Sequence, residues 1–196
     1  MYKRLFDILF SLLLSISLSP IILITSLLII IFDKHNPFFL QERSGKNGKK
    51  FNIYKFRSMK INTTNNQTKI TQIGKFVRIT KFDEILQIIN VLKNEMSIIG
   101  PRPLYPEFND YFKKKHKLRL SVKPGITGLA QVKLRDSSSW NRKFNFDVIY
   151  VKKKSLKLEF YIFIQTFMVV IRSLINTKKR PIEITDYKES FFKNYK

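Results

Sequence analysis

The stretch LFDILFSLLLSISLSPIILITSLLIIIF, residues 5–32, constrains this chain more than any other feature. As one helix it would reach ~42 Å, against a hydrocarbon core of about 30 Å. A cleaved leader is disfavoured, because the run outlasts a usual leader core and no A-x-A-like cleavage site follows. Ser19-Pro20 lies near its centre. Proline has no N–H and its ring crowds the carbonyl of Ile16, so a kink is expected there. Ser15, Ser17 and Ser19 are placed to bond backbone groups that lipid would leave bare. Both flanks are basic, with Lys3 and Arg4 before the run and Lys34 after it. Each flank therefore prefers the cytoplasm, which a straight span cannot satisfy and a re-entrant helix over 1–33, broken at Ser19-Pro20, can. The residues alone leave a kinked span and a re-entrant helix both open.

The remainder has room for one compact domain, 34–175, followed by a basic polar tail, 176–196, expected to be poorly ordered. The chain carries 37 Lys+Arg against 14 Asp+Glu, a net charge of +23. Such an excess calls for a polyanionic partner: nucleic acid, an anionic lipid surface or a phosphorylated substrate. There is no cysteine, which excludes disulfides and thiolate metal sites and is compatible with a cytosolic setting. His35 and His116 are too few and too far apart in sequence to imply a histidine metal site.

The local patterns predict a mixed α/β domain, mostly helical with a small hairpin. Residues 36–59 read as two short strands around Asn47-Gly48. Residues 62–72 read as a polar loop. A helix is expected from Thr80, capped by Thr80 with Asp83 at the capping-box position and burying Ile85, Ile89, Leu92 and Met96. Gly100-Pro101-Arg102-Pro103 ends it in an extended turn. Residues 105–120 suit a second helix, ITGLAQVKL suits a strand, and 137–155 suits a helix capped within Ser137–Ser139. Residues 156–175 form an apolar helix. Glu159, Gln165 and Arg172 make it interfacial or packed, not spanning.

Asp83-Glu84 is the chemical puzzle. An acidic pair in a first helical turn ordinarily complements the helix dipole, by roughly 0.3–1 kcal/mol. Here the pair lies among cations: Arg78 and Lys81 beside it, then Arg102, Lys123 and Arg135. Carboxylates ringed by cations can hold Mg²⁺ and phosphate together, and a carboxylate attacking phosphorus needs that neutralisation. A membrane-anchored nucleic-acid-binding protein, with Phe and Tyr interleaved among the cations, is the rival reading. A purely structural protein binding anionic lipid is a third.

TKFDEILQIINVLKNEMSIIGPRP resembles the signature of the bacterial sugar transferases, the monotopic polyprenyl-phosphate phosphoglycosyl transferases. PFFLQERSGKNGKKFNIYKFRSM, KPGITGLAQV and WNRKFNFDVIY match in the family's order, after an apolar segment with a Ser-Pro break. The resemblance covers roughly residues 1–170 and is to the minimal form, which consists of the catalytic domain alone. It implies a re-entrant, monotopic membrane helix and a catalytic domain on the cytoplasmic face of the bacterial inner membrane. It implies transfer of a sugar-1-phosphate from a UDP-sugar to undecaprenyl phosphate, releasing UMP, as the first membrane step of glycan assembly. Nucleic acid is not an expected partner on this reading.

The family's nucleophile falls on Asp83, which would carry a covalent phospho-sugar in a ping-pong reaction and meet the cofactor Mg²⁺. Glu84 would assist, as a general base or in the metal's surroundings. The family's basic residues fall on Lys55, Arg78 and Arg135, with Arg102 a further anion contact. DEILQ lacks the proline usual after the dyad, and Lys133-Leu134-Arg135 replaces the usual Asn-Gly-Arg. Glu159 stands where an Asp is common. Asp147 is expected to pair with a cation.

Overall fold

The computed structural model describes residues 2–61, 68–134, 138–175 and 191. Its first element, helix α1 (Tyr2–Leu28), continues as a π-helical turn over Ile29–Asp33 and stops at Lys34, whose backbone is left-handed. α1 is one continuous helix with Pro20, the site of the expected kink, inside it. Pro20 removes the donor that would serve the Ile16 carbonyl, and Ser19 Oγ donates to that carbonyl instead, at 2.8 Å. By length and composition this helix could cross a membrane.

Burial along it comes in two patches of four-residue spacing, Asp7 and Ser11 near its start, and Thr25, Ile29 and Asp33 at its end. Between them lie exposed Leu12, Leu13, Ile16, Leu23 and Ile24. At the start, Lys3 Nζ pairs with Glu159 at 2.6 Å and Arg4 donates to the Val91 and Leu92 carbonyls. Asp7 accepts from Ser97 Oγ at 2.8 Å and from the Ile98 N–H. At the end, Asp33 accepts from Thr71 Oγ1 at 2.7 Å, and Ile29 packs with Phe56, Val77 and Leu86. Both ends of α1 are thus docked on the same globular body.

Among the described residues the body is mostly helical with three two-stranded sheets. Strands β1 (Phe38–Ser44) and β2 (Lys50–Phe56) form the expected antiparallel hairpin. Asn47 and Gly48 supply the positive φ its turn requires, 56° and 78°. β3 (Met59–Ile61) pairs antiparallel with β4 (Thr68–Ile70), and after Thr71 helix α2 (Gln72–Ile79) begins, so strand and helix take 68–70 and 72 where a loop was expected. Residues 62–67 of that expectation lie outside the described residues. Thr71, not Thr80, is the capping threonine: its Oγ1 accepts from the Gly74 N–H at 2.8 Å. Thr80 closes α2, donating back to the Phe76 and Val77 carbonyls. Gly74 has no substitute, because a Cβ there would come within 2.0 Å of the Ser58 carbonyl oxygen.

After a left-handed Lys81, Phe82–Glu84 form a 3₁₀ turn, and α3 (Gln87–Leu92) follows. The change of helix type shifts the buried face to Leu86, Ile88 and Val91 and leaves Ile89 exposed, correcting the expected stripe; Met96 is buried as expected. β5 (Ser97–Ile99) pairs in parallel with β6 (Gly125–Thr127). The expected helix over 105–120 is two 3₁₀ segments, Pro106–Tyr111 and His116–Ser121. Here Phe108, Phe112 and His116 are buried, and packing against Trp140 and Phe144 overrides helical periodicity. The expected strand ITGLAQVKL is strand only to Thr127; α4 (Leu129–Lys133) takes the rest.

Helices α5 (Trp140–Lys153) and α6 (Leu156–Ile175) complete the body. Ser139 precedes α5 but makes no side-chain cap. α6 buries Glu159 and Ile162 and exposes Leu156, Phe160, Ile164 and Phe167 along one stripe, as an interfacial helix would. Of the expected tail only Phe191 is described, stacked on Phe108 at 3.9 Å between centroids.

Candidate active site

Lys81 carries the strain that shapes this site. At φ 62° it adopts a conformation that costs a non-glycine residue roughly 1–2 kcal/mol. The turn that follows is closed by three-residue hydrogen bonds, Glu84 N–H to Lys81 and Ile85 N–H to Phe82. It presents Asp83 and Glu84 ahead of α3.

The two acids have opposite surroundings. Both Glu84 oxygens are taken by the Arg102 guanidinium, Oε2 at 3.1 Å from Nη1 and Oε1 against Nη2, with Lys55 Nζ 3.6 Å from Oε1. Burial pushes the Glu84 carboxyl up, but Arg102 and Lys55 outweigh it and hold it well below the ordinary carboxylate range. Asp83 has no such clamp. Its Oδ1 is shielded from solvent and has no hydrogen-bond partner. Burial, reinforced by the negative charge of Glu84, pushes its carboxyl up to about 6, with Lys55 and Lys81 working the other way.

The supporting cations are held from behind. Lys55 lies on β2 with its side chain 16% exposed, and burial lowers its pKa. β2 is fastened to α3 by fully buried Asn90, which accepts from the Tyr54 N–H and donates to the Asn52 carbonyl at 2.7 Å. Arg102 is flanked by Pro101 and Pro103, and its carbonyl accepts from Arg119 Nη2 at 2.6 Å. Arg119 in turn is paired with Asp147 at 3.0 Å, both buried, as expected for Asp147.

Lys55, Asp83, Glu84 and Arg102 are therefore brought together. Arg78 donates from Nε to Ser58 Oγ at 2.8 Å, joining α2 to the chain just beyond β2. Arg135 lies outside the described residues. Glu159 does not join the dyad: it accepts from Lys3 and from Tyr150 Oη at 2.9 Å, where it ties α6 to the start of α1. Ser19 and Pro20 lie in the exposed middle of α1.

Arg43 was not foreseen. Its guanidinium stacks 3.4 Å above the Tyr105 ring and donates to Gln41 Oε1 at 2.6 Å, while Gln41 donates to Tyr105 Oη. It is buried, its Nη1 has no partner, and it lies in the electrostatic field of Glu84 and Arg102. The sequence signal was the spacing of Gln41 and Arg43 on one face of a strand.

Among the described residues no three acidic or histidine side chains converge as a metal cage. Mg²⁺ needs none: one or two carboxylates with substrate phosphates suffice, and the orphaned Asp83 Oδ1 is a fitting ligand.

A family model described as bacterial sugar transferase matches residues 1–173. An uncharacterized sugar transferase of Bacillus subtilis (strain 168), EpsL, is 38% identical over 177 residues, 87% of this chain and 88% of that protein. The UDP-glucose:undecaprenyl-phosphate glucose-1-phosphate transferase of Klebsiella pneumoniae is 35% identical over 191 residues, 89% of this chain and 40% of that enzyme. The UDP-N-acetylgalactosamine-undecaprenyl-phosphate N-acetylgalactosaminephosphotransferase of Aeromonas hydrophila is 36% identical over 183 residues, 86% of this chain and 43% of that enzyme. This chain spans most of the Bacillus protein but less than half of the other two. With the dyad and its cations on one site, the chain belongs to the bacterial sugar transferase family.

Proposed function

We propose that this chain transfers a sugar-1-phosphate from a UDP-sugar to undecaprenyl phosphate, forming a polyprenyl diphosphosugar and UMP. The observation that carries the reading is the free Asp83 Oδ1 beside a Glu84 whose oxygens are both spent. Asp83 attacks the phosphorus that bears the sugar. The bond from that phosphorus to the bridging oxygen breaks, and UMP leaves with the electron pair. The phosphate oxygen of undecaprenyl phosphate then attacks the same phosphorus and frees the Asp83 carboxylate. Glu84, ionised and clamped, is no base here; it orients Arg102 and Lys55 toward the diphosphate. Arg43 Nη1 supplies a further donor to the same anion. Asp83, with the donor's diphosphate, would hold Mg²⁺, which when bound neutralises the charge of the leaving phosphate.

The two docked ends of α1 support a monotopic placement, with residues 12–24 dipped into one leaflet and the body on the cytoplasmic face of the inner membrane. The acceptor phosphate, at headgroup level, then meets a donor arriving from water. On this reading the reaction is the first membrane step of glycan assembly.

The purified chain, given a panel of UDP-sugars with Mg²⁺ and undecaprenyl phosphate, should release UMP. Without acceptor, intact-protein mass should rise by one sugar phosphate. Asp83→Asn should lose both signals. UMP release by that variant at the wild-type rate would overturn the reading.

A further inference from the structure

A cavity of about 280 Å³ opens where α1 begins, lined by Lys3, Arg4, Asp7, Lys46, Lys123 and Lys154 among others. It shares no lining residue with Lys55, Asp83, Glu84 and Arg102, and it takes Lys123, which the sequence had grouped with the dyad. Five of its side chains are cationic and one, Asp7, is acidic. Asp7 is already engaged by Ser97 and the Ile98 N–H, and Lys3 is paired with Glu159. The remaining cations have neutral partners or no acidic partner among the described residues. Arg4 meets the Val91 and Leu92 carbonyls, Lys123 meets Asn94 Oδ1, and Lys46 and Lys154 are exposed. Burial lowers the Lys123 pKa, and repulsion from Arg4, Lys46 and Lys154 adds to it. An anion in the cavity would relieve that repulsion.

The cavity's surroundings identify the anion's carrier. Immediately beyond Lys3 and Arg4, α1 exposes Leu5, Phe6 and Leu9, each about half or more accessible. Phe6 stacks on Phe10 and meets Phe163 edge-on at 6.3 Å, on α6, which also exposes Leu156 and Phe160. A cationic cavity opening beside an apolar surface matches a molecule with a phosphate head and acyl chains. We infer that this cavity binds the headgroup phosphate of an anionic phospholipid, at a site separate from the one that handles the sugar donor. A zwitterionic lipid carries an ammonium beside its phosphate, which these cations disfavour, so the site discriminates by headgroup charge.

The test reads binding, so it does not depend on the transferase reading. The full chain in neutral detergent is titrated with dioctanoyl phosphatidylglycerol, dioctanoyl phosphatidylcholine or inorganic phosphate, and adducts are counted by native mass spectrometry. Wild type should retain one phosphatidylglycerol in preference to phosphatidylcholine by about tenfold or more. Lys46→Glu with Lys154→Glu, both at exposed positions, should lose that preference. Lys123→Gln should weaken it, and Lys60→Glu with Lys69→Glu, outside the cavity, should leave it intact. Equal retention of the two lipids, or unchanged retention in the Lys46/Lys154 variant, would overturn the site. Displacement of phosphatidylglycerol by an equal concentration of inorganic phosphate would overturn the lipid assignment.

Discussion

Two adjacent carboxylates differ here because only one of them is answered by a guanidinium. Glu84 stays ionised at any pH the protein meets, whereas Asp83 titrates at about 6. In the proposed mechanism it is the ionised Asp83 that attacks phosphorus, so kcat/KM for the donor should fall as pH drops through about 6 and level off above it. Lys55 lowers the Asp83 pKa, so Lys55→Met should move that midpoint upward in a pH–rate profile; an unmoved midpoint would separate the two residues. Arg43→Lys keeps the charge but loses the planar fork and the stack on Tyr105. Steady-state kinetics should show KM for the donor raised roughly tenfold with kcat little changed. Lys55, Asp83, Glu84 and Arg102 were legible in the sequence because they sit in short motifs of fixed order. Arg43 lay inside one of those motifs, but only the fold shows that Tyr105, far along the chain, forms its platform.

At the scale of elements, a relay of contacts sets Arg102 in place: Asp147 on α5 to Arg119, Arg119 to the Arg102 carbonyl, and Arg102 to Glu84. Asp147→Asn leaves the buried Arg119 charge without its partner, at a cost of about 3–5 kcal/mol. A thermal melt should show Tm lower by on the order of 10 °C. Asp147→Leu combined with Arg119→Met should recover much of that loss in stability while the rate stays low. An unchanged melt for Asp147→Asn would remove the relay. The hairpin, α5 and α6 were readable from turn residues and periodicity. The 80–96 region was misread because nothing in its composition marks Lys81 as left-handed, and that one residue separates α2 from the dyad's turn. Residues 105–120 were misread for another reason. Their apolar spacing fits a helix, but the aromatic cluster around Trp140 and Phe144 is better filled by two short 3₁₀ segments.

For the whole molecule, the question is which side of the membrane each end of α1 occupies. Lys3, Arg4 and Asp7 bond the same body that receives Ile29 and Asp33. Single cysteines at Tyr2 and Lys34, in a chain with none of its own, should both react with an impermeant maleimide from the cytoplasmic face. Labelling from opposite faces would overturn the monotopic placement. Basic flanks raised the monotopic placement as one of two options; the polar contacts of Lys3 with Glu159 and of Asp7 with β5 were beyond reach, since no local pattern links residues so far apart. That separation also imposes an order of assembly. Lys3 and Glu159 are 156 positions apart, so at about 5–20 residues per second the ribosome needs roughly 8–30 s to deliver the partner of a residue it made first. Throughout that interval the apolar helix must be sheltered, by the bilayer or a chaperone, while the body that will clasp its start is still being made.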